Sequence, residues 1–297
     1  CGTVQMCDNC SVPMVFHINK NTLKCHYCGF AKPTPEVCGT CGSRHIKFFG
    51  TGTERVEDEL SFYFPAAKIA RVDSDSVNKK GLLSETLNQF REGEIDILIG
   101  TQLVAKGLDF SRVTLVGVIS AEATLWMPDF RADERTFQLL TQVSGRAGRS
   151  SKPGEVLIQT QNDKHFVLQR VLDANYNAFY YKEIADRFRL EYPPAARLCL
   201  VEVKDKDDRK ARESIFDFYN CLSIYKEQIK ISSPSTAVIA RLREEYRYQI
   251  MVKTNREKDP SGSVLRGALA AAKQQYQNMR RHHDVKIIID IDPQSVM

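Results

Sequence analysis

Past residue 48 the chain alternates between apolar runs of strand length and segments whose apolar residues recur at helical spacing. "TERVEDELSFYF" and "KKGLLSETLNQFREG" read as amphipathic helices. The first opens on a capping box, Thr51 with Glu54 three residues on, and the second closes at Gly93. "AKIARVD", "IDILIGT", "VTLVGVIS" and "GEVLIQT" read as strands. The near-continuous apolar character of "IDILIGT" and "VTLVGVIS" predicts burial on both faces. "RADERTFQLLTQVSGRAG" is predicted helical, as are residues around 164–173 and 175–190. Strands alternating with helices predict an α/β layer: a parallel sheet with helices on both sides.

"EYPPAAR" interrupts the pattern at Pro193–Pro194 and marks a boundary. Beyond it come a strand "LCLVEVK", a helix near 207–229, strands near 236–242 and 246–253, a helix near 261–281 and the strand "VKIIIDI". The order β-α-β-β-α-β predicts a ferredoxin-like α+β domain. Residues 1–47 differ: two short strand-like pieces, "PMVFHI" and "TLKC", joined by "NKN", with too little apolar content for a core of their own. Three domains are therefore expected, at 1–47, 48–190 and 191–297.

Composition adds little until charge is divided by region. The overall balance of +5 splits into +3 for residues 1–47, −2 for 48–190 and +4 for 191–297. Basic ends around a near-neutral middle suit a polyanionic partner. The longest apolar run, 113–119, is strand-sized, so no membrane span is expected. The start carries no signal-peptide pattern, and a cytoplasmic location is expected. Thiols stay reduced there, so clustered CxxC pairs point to metal rather than disulfides.

Seven of the nine cysteines lie within the first 41 residues. Cys7-x2-Cys10 and Cys25-x2-Cys28 form a complete four-thiolate set with zinc-ribbon spacing, each CxxC turn aiming two sulfurs at one point. Cys38-x2-Cys41 is a further half-site, and Cys1 is the remaining thiol to join it. Its fourth ligand is missing. Either the sequence is a fragment cut inside the motif, or His17, His26 or His45 completes the set. Cys199 and Cys221, in a strand and a helix, read as small buried hydrophobes.

Two stretches carry further chemistry. In "QLLTQVSGRAGR", Arg146 and Arg149 stand three apart beside Gly145 and Gly148. Paired guanidiniums presented this way suit the γ-phosphate of a nucleotide, where a fixed fork stabilises developing charge. A basic helix end with no ligand is the plainer alternative. In "GTQLVAKGLDF" a strand runs into Gly100, Thr101 and Gln102, followed by Lys106, Gly107 and Asp109. Strand carboxyl ends are where open α/β sheets bind ligands.

These two stretches resemble motifs V and VI of superfamily 2 helicases, in the second RecA-like lobe. The wider text, including "GTGTERVEDEL", "MPDFRADERTFQLLTQVSGRAGR", the cysteine spacing, the paired prolines and the closing "DIDP", resembles the PriA (primosomal protein N′) family of replication-restart helicases across essentially the whole chain. The resemblance implies ATP-dependent 3′→5′ unwinding of DNA at stalled forks, with ATP and magnesium as cofactors and two zinc sites. It implies that Arg149 acts as an arginine finger with Arg146 on the γ-phosphate, that Gln142 and Gly145 sit at the nucleotide with Asp109 and Gly107, and that Thr101, Gln102 and Lys106 touch DNA. The implied partners are forked and single-stranded DNA, the acidic tail of the single-stranded DNA-binding protein, and primosome proteins.

Two departures limit what is carried over. The family's Asp-Ala-Asp after the motif V strand is here Ser120-Ala121-Glu122. No GxxxxGK[ST] and no DExH-type acidic pair occurs, so this chain is expected to supply half of an ATP site and not to hydrolyse ATP alone. Near the end, "SGSVLRGALAAAKQQYQNMRRHH" has no acidic residue; Arg266, Lys273 and Arg280 fall at seven-residue steps, with Arg241, Arg247, Tyr246 and Tyr248 on the preceding hairpin. This is either a phosphate or acidic-peptide surface or a solvated helix face. For the chain as a whole, a non-catalytic zinc-dependent scaffold for nucleic acid and protein is the alternative to a motor lobe.

Overall fold

The computed structural model describes residues 5–9, 12, 14–17, 21–25, 28, 30–46, 53–72, 81–101, 112–145, 154–279, 281–282 and 284–296. Its contacts divide the chain into two units, one of residues 1–47, 128–130 and 182–297, the other of residues 48–127 and 131–181.

Three short strands open the first unit: β1 (Val15–His17), β2 (Thr22–Lys24) and β3 (Ala31–Pro33), antiparallel in the order β1-β2-β3. Their small apolar cluster is Cys7, Val12, Met14, Leu23 and Cys25.

The second unit begins with α1 (Thr53–Tyr63), β4 (Ile69–Val72), α2 (Leu82–Glu92) and β5 (Ile97–Gly100). β4 and β5 pair in parallel, Ile69 opposite Ile97. Arg71 on β4 ties down α1: its Nε is 3.0 Å from Glu57 and its Nη2 3.5 Å from Glu54. α2 ends as its sequence predicts, with Gly93 in the left-handed region (φ 83°) donating its N–H to the carbonyls of Gln89 and Phe90. Then come β6 (Leu115–Val118), α3 (Glu122–Leu125), α4 (Ala132–Ser144), β7 (Glu155–Ile158) and α5 (Phe166–Leu172). α6 (Tyr176–Leu190) runs from this unit into the other. β6 and β7 pair in parallel. The helical spacing of Thr136, Phe137, Leu140 and Val143 puts one face of α4 inward. Phe137 and Leu140 meet Val167, Leu168 and Val171 of α5 and Phe179 of α6, the Phe137 and Phe179 rings stacking at 4.1 Å.

Burial on both faces, expected of "VTLVGVIS", is not observed. Val118 and Ile158 pack into the α4–α5 cluster, but Leu115 and Leu157 are 56% and 54% exposed. Among the described residues, helices cover one face of this strand pair, so the alternation of the pleat shows through despite the apolar sequence.

The rest of the first unit is β8 (Ala196–Asp205), α7 (Asp208–Ser223), β9 (Lys230–Ile231), β10 (Ser235–Leu242), β11 (Glu245–Asn255), α8 (Ser263–Met279) and β12 (Lys286–Ile291). The antiparallel sheet has the order β10-β11-β8-β12, with β9 paired to β11. Cys199, Val201 and Val203 of β8 and Ile250 and Val252 of β11 face Ile215, Phe218 and Leu222 of α7 and Leu265, Leu269 and Ala272 of α8. The helix expected over 207–229 stops at Ser223. From there turn bonds, Tyr225 N–H to Leu222 and Gln228 N–H to Tyr225, carry Ile229 into the core at 2% exposure and leave Ile231 opposite Val252 in the sheet. Burying that isoleucine outweighs continuing the helix.

Candidate metal centre and motor motifs

Each CxxC turn opens with the same hydrogen bond, from the N–H of its first cysteine to the carbonyl five residues on. Cys7 donates to Val12 at 2.9 Å, Cys25 to Phe30 at 2.8 Å and Cys38 to Ser43 at 2.8 Å. The sulfurs of Cys7, Cys25 and Cys28 lie within 4.8 Å of one another, and those of Cys7 and Cys28 are 3.6 Å apart. Two thiolates on one tetrahedral zinc stand about 3.8 Å apart, given Zn–S bonds of roughly 2.3 Å. Cys7 and Cys25 are buried. A converging thiol set with two buried members and one half-buried fits zinc, and Cys10, the fourth member by spacing, lies outside the described residues.

The third turn repeats this architecture. Gly42 takes a φ of 69° and donates its N–H to Cys38 at 2.9 Å, closing the knuckle in a conformation that favours glycine. The N–H groups of Thr40 and Cys41, together with the Cys41 side chain, hold the Cys38 thiol below its usual range. His45 is exposed. Cys1 and His26 lie outside the described residues, as does the His17 side chain. Cys199 is inert by comparison: burial, with Asp290 and Asp292 nearby, pushes its thiol up to about 12. Burial also raises Cys221.

Of the motor-motif residues, Thr101 is exposed just past the carboxyl end of β5, and Gln142 and Gly145 are exposed at the carboxyl end of α4. Gly145 caps α4 by donating to Thr141 at 3.0 Å. Its φ of −71° is open to any residue, and among the described atoms an added Cβ would meet the Thr141 carbonyl oxygen at an ordinary 3.5 Å. Neither its backbone nor its described neighbours require glycine there. Gln102, Lys106, Gly107, Asp109, Arg146, Gly148 and Arg149 lie outside the described residues.

The basic surface of the last domain is smaller than its sequence predicts. Arg266 and Lys273 are exposed on α8, opposite the buried Leu265, Ala268, Leu269 and Ala272; Arg280 lies outside the described residues. Arg266 Nη2 donates to the Ser261 carbonyl at 2.8 Å. Arg247 does not join them. It is 7% exposed, its Nε is 3.0 Å from Glu202 Oε2, its Nη2 reaches the same oxygen, and its Nη1 donates to Ile239. Alternation along β11 puts Arg247 on the face of the sheet away from α7 and α8, where Glu202 on the neighbouring strand neutralises it. Arg241 lies over the Tyr246 ring at 5.0 Å and donates from Nη1 to the Asp8 carbonyl at 2.9 Å. Tyr248 donates its hydroxyl to Asp208 at 2.8 Å.

One site was not legible in sequence. Asp259, 4% exposed, accepts from the first-turn N–H groups of α8, Val264 at 3.2 Å and Leu265 at 3.1 Å. Burial alone would raise its carboxyl, but the N–H groups of Leu265, Val264 and Ser263, with Arg197 nearby, hold it below the usual carboxylate range.

Three family models match the chain: the PriA DNA helicase Cys-rich region domain over residues 7–33, the helicase conserved C-terminal domain over 42–151, and the primosomal protein N C-terminal domain over 189–294. The chain is 45% identical to a Bacillus subtilis protein named replication restart protein PriA, over 100% of this chain and 36% of that relative. Proteins of the same name from Synechocystis and Haemophilus influenzae are 41% and 36% identical, over 85% and 100% of this chain. The chain spans 31% to 40% of the length of these three relatives. The first two cysteine turns, the α4 motif and the final antiparallel domain thus each fall in a matched region, and the chain belongs to the PriA family.

Proposed function

We propose that this chain supplies the second motor lobe, zinc module and C-terminal domain of an ATP-dependent 3′→5′ DNA helicase of replication restart. The observation that carries it is similarity to proteins of that name along 100% of the chain. The RecA-like assignment of the middle region is supported by its parallel strand pairs flanked by helices. The ferredoxin-like assignment of the last domain is supported by the order β10-β11-β8-β12 with both helices packed on one face.

In this proposal Arg146 and Arg149 follow α4 onto the γ-phosphate of ATP, and Gln142 and Gly145 approach the nucleotide from the exposed end of that helix. Thr101, Gln102 and Lys106 contact DNA after β5, and Asp109 and Gly107 lie at the nucleotide. Magnesium belongs with the acidic pair of another lobe, which this chain lacks. Cys7, Cys10, Cys25 and Cys28 would hold one zinc, whose bonds to four thiolates supply folding energy to a segment with almost no core. Cys1, Cys38 and Cys41 would contribute to a second. Forked and single-stranded DNA, the single-stranded DNA-binding protein tail and primosome proteins are the proposed partners.

The test is direct. The chain as it stands is expected to bind fluorescent forked DNA in an anisotropy titration and to show no DNA-stimulated ATP turnover. Turnover by the chain alone, or no DNA binding at low salt, would refute the proposal.

A further inference from the structure

The turn between β10 and β11 has an unusual composition. Arg243 and Glu244 both take left-handed backbone, φ 53° and 68°, in a two-residue hairpin turn where asparagine and glycine are preferred. Strained backbone of this kind persists where surrounding contacts impose it.

Those contacts are made to the first cysteine turn. The Glu244 N–H donates to the Asn9 carbonyl at 2.9 Å, and Arg241 Nη1 donates to the Asp8 carbonyl at 2.9 Å. Asp8 and Asn9 are the two residues between the zinc-ligand positions Cys7 and Cys10. Beside them, Ile239 and Leu242 of β10 pack against the Cys7, Val12, Met14, Leu23 and Cys25 cluster. Within the module, Lys32 holds the other parts of the same turn, reaching the Asp8 carboxylate at 2.9 Å and the Met6 carbonyl at 3.2 Å. The backbone N–H of Asn9 is directed at the Cys7 sulfur, at 3.4 Å.

We propose that the β10–β11 hairpin is the outer shell of the metal site: Arg241 and the Glu244 N–H fix the peptide groups between the Cys7 and Cys10 ligand positions, and zinc in turn fixes the hairpin. This rests on the zinc assignment above. The peptide joining Asp8 to Asn9 lends its carbonyl to Arg241 and its N–H to the Cys7 sulfur, so whatever holds that peptide also orients a ligand. Outer groups that orient metal ligands alter affinity by about 10- to 100-fold when removed.

The experiment uses the full chain loaded with zinc and a chromogenic chelator. Arg241→Ala is expected to release zinc about 10-fold faster than the parent or more, Arg241→Lys to recover part of the retention, and the exposed Lys226→Ala to match the parent. Hydrogen exchange supplies the reciprocal readout and needs no substitution. Removing zinc is expected to speed exchange at the Glu244 amide while leaving Ile250, in the sheet interior, unchanged. Parent-like zinc release from Arg241→Ala, or a Glu244 amide indifferent to zinc, overturns the coupling. A parent chain that holds no zinc overturns the metal assignment itself, and this inference with it.

Discussion

Nε of Arg247 stands 3.0 Å from Oε2 of Glu202, and both side chains are buried on the face of the sheet away from α7 and α8. Lys204 reaches the other carboxylate oxygen at 2.7 Å. Removing one member of such a pair strands a buried charge, which costs about 3–5 kcal/mol. Because Lys204 remains, Arg247→Ala is expected to cost about 3 kcal/mol. Replacing the pair together, Arg247→Met with Glu202→Leu, should cost less than the single change. Urea unfolding of the three proteins measures both. A double variant less stable than Arg247→Ala would show that the pair is more than mutual neutralisation.

Asp259 is expected to make the stability of the last domain sensitive to acid. Its carboxyl is held below its ordinary value in the folded chain. Its contribution is therefore complete above about pH 4, the unfolded value, and drains away as pH falls through the lower folded value. Asp259→Ala should cost about 1 kcal/mol at neutral pH and flatten the acid limb of a stability–pH profile. An unchanged acid limb would mean that other carboxylates carry it.

Arg266 and Lys273 are the exposed cations of α8. Reversing both to Glu should weaken binding to short forked DNA at low salt. If each neutralises one phosphate, the slope of log affinity against log salt should fall by about two. Equal low-salt affinity would leave this face as solvated surface.

Gly145 offers a test that separates fold from ligand. Its backbone is ordinary and a methyl would fit among the described atoms. Gly145→Ala should change stability by less than about 0.5 kcal/mol. In a protein that turns over ATP, the same change should lower nucleotide-dependent activity. A large loss of stability would instead assign the glycine a structural role.

Much of the architecture was legible because period and punctuation agree along this chain. Alternation and helical spacing predict the helices and strands of both units, and Gly93 ends its helix where glycine should. The CxxC spacing marks the candidate metal site, and the structure brings its three described thiols, Cys7, Cys25 and Cys28, together. Sequence failed where distant packing decides. Arg247 reads as solvent-facing because nothing local shows Glu202 on the adjacent strand. Residues 224–229 read as helix because their pattern omits the core that draws Ile229 inward. The grip of Arg241 on Asp8 joins residues 233 apart in sequence and has no local signature at all.

In the proposed division of labour, "GRAGR" after α4 serves ATP hydrolysis while the cysteine turns serve structure. This division is tested by joining this chain to the ATP-binding lobe of a PriA relative and measuring DNA-stimulated ATP turnover for the parent and Arg149→Ala, with zinc content determined on the same samples. Arg149→Ala is expected to lose turnover while keeping the parent's zinc. Full turnover in Arg149→Ala would contradict the claim.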